Sequence, residues 1–316
     1  MRTFTVVATS LLFPALLLLA SCQAERSGVH PSERVSVDEQ ALQPEDASYA
    51  ALFRYRASSD ALEVVDVSSL GHVVVGDPLP VPPNGTFRLQ YRATALDPTG
   101  RKLELPLPET IQDARFSPNA RSLIVLDRHD ALSVIDLASE GITAIDTQVF
   151  PGFALSSDGN QIAYAKGDAP MLDAYVYDLR TGTARRLTSA QRPTWGFAFS
   201  PDDRSIAFVY SPFGFPSIYT VGVDGGEPHA MTNVGITLDD VRAGAALTPI
   251  PDGRKPPTWV NGVLVFENGD GAFGLSSDGR VVWERPGATR LFRGGEDVVH
   301  YHIDGAEHAA RMTVSP

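Results

Sequence analysis

Seven histidines and one cysteine set the ceiling on metal and nucleophile chemistry in this 316-residue chain. His300 and His302 stand two apart in a strand-like run, so both project from one face, with His308, Asp304 and Glu307 close in sequence. Neutral imidazoles so spaced bind zinc or copper once a carboxylate completes the set. The competing reading is a pair of partly buried strand histidines bonded to neighbouring strands. His300 and His302 are weak metal candidates only, and the expected metal and cofactor complement is none. The lone Cys22 can form neither an internal disulfide nor a multi-thiolate zinc site. Gly274-Leu275-Ser276-Ser277-Asp278-Gly279 misses the nucleophile elbow by one residue and reads as a turn. Gly269-Asp270-Gly271-Ala272-Phe273-Gly274 satisfies a dinucleotide-loop pattern, but strand and turn residues follow it where a helix is required. Phosphate-loop, His-Glu-x-x-His and calcium-loop patterns are absent from the sequence. Trp195, Trp259 and Trp283 sit at similar places near strand ends, which suits core packing better than a ligand platform. No catalytic residue emerges, and a non-enzyme is expected.

The cysteine acquires meaning from what precedes it. Arg2, an apolar stretch from Leu11 to Ala20 and small residues at the end form the three zones of a secretory signal. The stretch contains Pro14 and is shorter than the roughly 20 apolar residues a membrane-spanning helix needs. Leu19-Ala20-Ser21-Cys22 resembles the lipobox of bacterial lipoproteins, in which cleavage before the cysteine accompanies its acylation. The resemblance implies that residues 1–21 are removed and that Leu19, Ala20 and Ser21 are read by the signal peptidase. It also implies that acylated Cys22, palmitate included, holds the chain on a bilayer, since two or more acyl chains anchor stably where one does not. Residues 22–47 are polar, with no sustained apolar period, and read as a flexible tether; a coil of that length reaches roughly 25–30 Å. Gln23, not aspartate, follows the cysteine. By the sorting pattern of similar lipoproteins this favours the outer membrane, facing the periplasm.

Positions 48–316 carry an all-β signature, with short β-branched and aromatic runs separated by turn residues. Phe116-Ser117-Pro118-Asn119 leads into Leu123-Ile124-Val125-Leu126, Leu155-Ser156-Ser157-Asp158-Gly159 into Ile162-Ala163-Tyr164, and Phe199-Ser200-Pro201-Asp202-Asp203 into Ile206-Ala207-Phe208. The spacing of about 40–45 residues is that of propeller blades with four strands each. Ser, Pro, Asp and Gly are tight-turn residues: proline presets φ, and serine and aspartate oxygens accept from nearby backbone N–H groups. Outer hairpins follow at Ala131–Leu137 and Ala174–Leu179, and Ala61–Val67 matches the first of them at an offset of 70. Strand counting favours six blades, with a strand at 50–56 completing the last beside His300-Tyr301-His302; seven blades with an irregular first one is the alternative. Asn233 to Pro257, with four prolines and no strand pattern, reads as a long loop between blades.

These turn-and-strand units resemble the TolB-like, WD-related propellers, clearly over about residues 110–285. The resemblance implies a propeller and an expectation of protein–protein binding. The charge of −12 counts against nucleic acid as a partner, because backbone binders neutralise phosphates with Lys and Arg. A lipid-anchored cell-envelope propeller serving as a non-catalytic binding or scaffolding module is the leading expectation, with the bilayer and an envelope protein as partners. The alternative is an envelope lyase, lactonase or glycan-acting hydrolase working in the central channel.

Overall fold

In the computed structural model, residues 34–41, 63–79, 90–189, 191–251, 256–293, 297–304 and 306–315 are described. All regular elements there are strands, save one helical turn, α1 (Leu238–Arg242). The first strand, β1 (Arg34–Ala41), is considered below with the last sheet. The strands β2 (Glu63–Val67), β3 (Val73–Pro78) and β4 (Tyr91–Leu96) form an antiparallel meander, and Lys102 bridges back to Leu96. Next come β5 (Ile111–Phe116), β6 (Ser122–Asp127), β7 (Leu132–Asp136) and β8 (Ile142–Asp146). One residue pair, Tyr91 with Ile111, joins these two groups into a continuous seven-stranded order.

Three four-stranded sheets then follow in strict chain order. They are β9 (Val149–Leu155) to β10 (Gln161–Asp168), β11 (Met171–Asp178) and β12 (Thr183–Arg186); β13 (Thr194–Phe199) to β14 (Ser205–Tyr210), β15 (Ser217–Gly222) and β16 (His229–Ala230); and β17 (Thr258–Val260) to β18 (Val263–Asn268), β19 (Gly271–Leu275) and β20 (Val281–Pro286). The last sheet, in the order β1-β23-β22-β21, unites β21 (Thr289–Arg293), β22 (Val298–Ile303) and β23 (Ala306–Ser315) with β1.

The hydrophobic clusters explain why this succession holds together. Each lies between two strand groups consecutive in sequence: Phe197, Phe199 and Phe208 meet Ala163, Leu172 and Val176, Val263, Val265 and Trp283 meet Leu291, Tyr301 and Met312, and Val74 and Tyr91 meet Ile111 and Phe116 between the two halves of the seven-stranded order. A second strand is therefore covered on both faces, which replaces alternation with continuous apolar runs such as Ile162-Ala163-Tyr164-Ala165. Fourth strands lie at the edge, and β12 is exposed throughout. Sheets of four consecutive antiparallel strands, packed face to face in chain order, make an all-β propeller of four-stranded blades.

The repeated turn behaves as its residues dictate. Ser117, Ser156 and Ser200 each donate through Oγ to the side chain two residues on, Asn119, Asp158 or Asp202, at 2.6–2.7 Å. Each serine oxygen in turn accepts a backbone N–H five residues on, from Ser122, Gln161 and Ser205, at 2.9–3.0 Å. Ser276 repeats the donation to Asp278, this time between β19 and β20. It is a turn serine, and no helix follows the glycines at 269–274, of which Gly271 and Gly274 lie within β19.

Three expectations are corrected. The tether over 22–47 contains β1, which pairs residue for residue with β23, from Arg34 opposite Ser315 to Ala41 opposite His308. Edge pairing satisfies backbone groups and needs no apolar period, so polar composition concealed the strand. The strand that completes the last sheet is thus 34–41; residues 50–56 lie outside the described residues, as do residues 1–33 with Leu19, Ala20, Ser21 and Cys22. The long loop after Asn233 also holds α1, whose first turn is closed by a capping box between Thr237 and Asp240. As for Ala61–Val67, its likeness to an outer hairpin misleads. Asp66 Oδ2 accepts the Phe116 N–H of β5 at 2.7 Å, and Asp113 of β5 likewise accepts the Gly152 N–H of β9 at 3.2 Å. β2 therefore occupies the leading position of its sheet.

Candidate functional site

Antiparallel succession sorts the connections onto two ends. Turns after first and third strands, including the serine–aspartate turns, leave one end; hairpins between second and third strands and the links between sheets leave the other. At this second end, in the sheet β9–β12, lies a cleft of about 250 Å³. Lys166, Asp168, Met171, Asp173, Tyr175 and Arg186 line it from the strands, while Gln148 and Gln191 line it from the connections.

Strand register explains the convergence. Lys166 faces Asp173 across β10 and β11, Tyr164 faces Tyr175, and Tyr175 faces Arg186 on β12, so all share one side of the sheet. Gly167, between Lys166 and Asp168, has φ +133° and a Cβ there would stand 2.6 Å from the Met171 carbonyl oxygen, so the tight β10–β11 hairpin requires glycine. Gln148 and Gln191 both adopt left-handed backbone, at φ 58° and 49°. Such conformations cost about 1 kcal/mol or more in a residue with a Cβ. Hydrogen bonds hold them in place: the Gly167 N–H donates to the Gln148 carbonyl at 3.1 Å, and the Gln191 N–H to Asp173 Oδ1 at 3.2 Å.

Both cations are closed into pairs, while Asp168 at the rim accepts from Gln148 Nε2 at 3.4 Å. Lys166 Nζ donates to Asp146 Oδ1 at 2.6 Å and lies 5.8 Å from the centroid of the Tyr175 ring. Asp173, 4% exposed, accepts from Arg186 Nη2 at 2.5 Å and from Thr188 Oγ1 at 3.0 Å. Burial draws the Asp146 carboxyl upward, but bonds from Lys166, the Tyr164 hydroxyl and the Thr147 N–H outweigh it and hold the group below the ordinary carboxylate value. Burial first, then the hydrogen bond to Asp146 and the charge of that carboxylate, push the Tyr164 phenol far above its usual value. Tyr164 remains a neutral donor.

Elsewhere the expected residues fall into structural positions. His300 is 1% exposed on β22 and His302 is half-buried on the same face. His308 pairs with Tyr301 across β22 and β23 and stacks on its ring at 5.4 Å, so it lies on the opposite face from His300 and His302. Among the described residues no three histidine, cysteine, aspartate or glutamate side chains gather as a metal site. Trp283 is core, edge-on to Tyr301; Trp195 and Trp259 flank the cluster between β13–β16 and β17–β20, and Trp195 Nε1 donates to the Pro251 carbonyl at 3.0 Å. None of the cleft residues was singled out by sequence reasoning. The available signal was the run Lys166-Gly167-Asp168, which puts charge where the equivalent strand of the next sheet, Ser205–Tyr210, continues apolar.

No protein-family model matches the chain. Over 73 residues, 23% of the chain, it is 29% identical to the Tol-Pal system protein TolB of Wolinella succinogenes, and the match spans 17% of that protein's length. A gluconolactonase from Xanthomonas campestris superposes with a TM-score of 0.51 at 14% identity, over 80% of this chain and 86% of that one. A TolB structure from Agrobacterium tumefaciens gives 0.47 at 16% identity, over 90% and 99%. At such identities the likeness to the gluconolactonase concerns the fold.

Proposed function

We propose that the protein is a lipid-anchored cell-envelope lipoprotein whose propeller, of six blades, binds or scaffolds an envelope protein without catalysing a reaction. The observation that carries the reading is the closure of both cleft cations into the pairs Lys166–Asp146 and Arg186–Asp173. General acid–base catalysis needs a group that takes up and releases protons near working pH. A locked ion pair instead presents fixed donors and acceptors, which is what a binding surface needs. Six blades are supported by the Leu96–Lys102 bridge, which supplies a fourth edge to β2–β4, and by β1, which completes the last sheet. The lipobox Leu19-Ala20-Ser21-Cys22 supports the anchor, and Gln23 supports the periplasmic face of the outer membrane.

Two measurements test this. Cys22→Ala is expected to move the protein from the detergent to the aqueous phase of a Triton X-114 partition, and an unchanged partition refutes the anchor. Crosslinking in living cells followed by mass spectrometry is expected to recover a reproducible envelope partner. Recovery of none sinks the scaffold.

A further inference from the structure

The cleft's chemistry identifies a ligand class beyond a protein partner. We propose that the cleft of the β9–β12 sheet binds a neutral saccharide unit. This rests on the binding reading above and adds the ligand.

Size comes first. At about 250 Å³ the cleft falls below the roughly 300–1,000 Å³ of sites for drug-sized molecules, and suits one ring with its substituents. Charge comes next. Lys166 and Arg186 are balanced by Asp146 and Asp173, and Asp168 on the rim adds a further negative charge, so an anionic ligand meets no net attraction. An amino acid requires a cationic lobe for its carboxylate set apart from an anionic lobe for its ammonium; here each cation is already clamped against its own carboxylate. A neutral ligand with hydroxyl groups fits what is left. A hydroxyl both donates and accepts, so adjacent hydroxyls can take a proton from an ammonium or guanidinium and give one to the carboxylate beside it. An ammonium has three protons and Lys166 donates one to Asp146, while the rim amides of Gln148 and Gln191 add donors and acceptors from two separate connections. Asp173 is more than nine-tenths buried and fixes Arg186 and the Gln191 N–H, so the polar groups are held before any ligand arrives. Half-exposed Met171 supplies apolar surface for the C–H face of a sugar ring, and Tyr175 lines the floor beside it with its ring stacked on Tyr164 at 5.9 Å and Lys166 over it.

The test is titration of the full-length protein, by calorimetry and by saturation-transfer NMR, with glucose, galactose, mannose and N-acetylglucosamine, and with glucuronate and alanine as charged controls. At least one neutral sugar is expected to bind with Kd of about 1 mM or tighter, and the rim variants Asp168→Asn and Gln191→Ala are each expected to weaken it about tenfold. Both side chains are exposed and outside the buried pairs, so unchanged unfolding midpoints separate loss of binding from loss of fold. No saturable binding of a neutral sugar below about 10 mM overturns the proposal. So does sugar binding that both variants leave intact, or a preference for glucuronate or alanine. Absent sugar binding with an envelope partner still recovered by crosslinking removes the saccharide site alone. Sugar binding without a protein partner removes the scaffold alone.

Discussion

Asp146 shows how one carboxylate can organise a site it only borders. It accepts from the Tyr164 hydroxyl at 2.7 Å and from Lys166 at 2.6 Å, joining the end of β8 to the middle of β10. Its side chain is 15% exposed, and asparagine keeps only one acceptor oxygen, so that replacement removes the charge facing Lys166 and leaves one of the two donors facing an NH2 group in a partly dry setting. Asp146→Asn is expected to cost about 1–3 kcal/mol at neutral pH, read by denaturant unfolding. The sign of the pH dependence follows from the lowered carboxyl. Its folded-state value lies below the ordinary 3.8, so the stabilisation is whole above that pH and fades as pH falls through the folded value. The gap between wild type and variant should therefore narrow below about pH 4. A gap that stays constant to pH 2.5 rules out the charge as its source.

At the scale of elements, the turns do two jobs. Each serine–aspartate turn closes its own hairpin, and some also tie neighbouring sheets: the Ser157 N–H donates to both carboxylate oxygens of Asp203 at 2.9 Å, and Ser69 Oγ to the Pro118 carbonyl at 2.9 Å. Gly279 carries this furthest. It has φ +80°, and an added Cβ would lie 2.1 Å from the Met231 carbonyl oxygen of the preceding sheet. Gly100, at φ +84°, has nothing within 4 Å of that position. Gly100→Ala is thus expected to cost about 1 kcal/mol, for conformation alone. Gly279→Ala should cost about 1–3 kcal/mol more, because backbone must also shift. Equal unfolding midpoints for the two variants would show that the contact with the neighbouring sheet carries no energy.

The whole molecule depends on a strand contributed from the far end of the chain. β1 pairs with β23 over eight residues, so the sheet formed by the last three strands gains its fourth from residues 34–41. Deleting 34–41 leaves β23 as an open edge, and is expected to lower the melting temperature by about 5 °C or more and to promote aggregation seen by light scattering. Deleting 23–33 instead should do neither. If both deletions behave alike, the pairing contributes nothing.

The sequence by itself determined the blade units. Their signals are local: a serine and an aspartate two apart make a turn, and the next apolar run makes a strand, wherever the segment ends up. Phe199 to Phe208 could accordingly be read as a strand, turn and strand with nothing else known. Tertiary structure alone decided three things. It made Arg34–Ala41 a strand, because an edge is recruited by backbone hydrogen bonds that leave no apolar period. It made Asp66 a leading-strand acceptor where the matching Asp136 caps a turn, because the role depends on which strand of the next sheet comes within 3 Å. It also assembled the cleft, whose Gln148, Lys166, Asp173, Arg186 and Gln191 are brought together by strand register and two left-handed connections. Residues that meet through register have no fixed spacing along the chain, and so leave no motif to read.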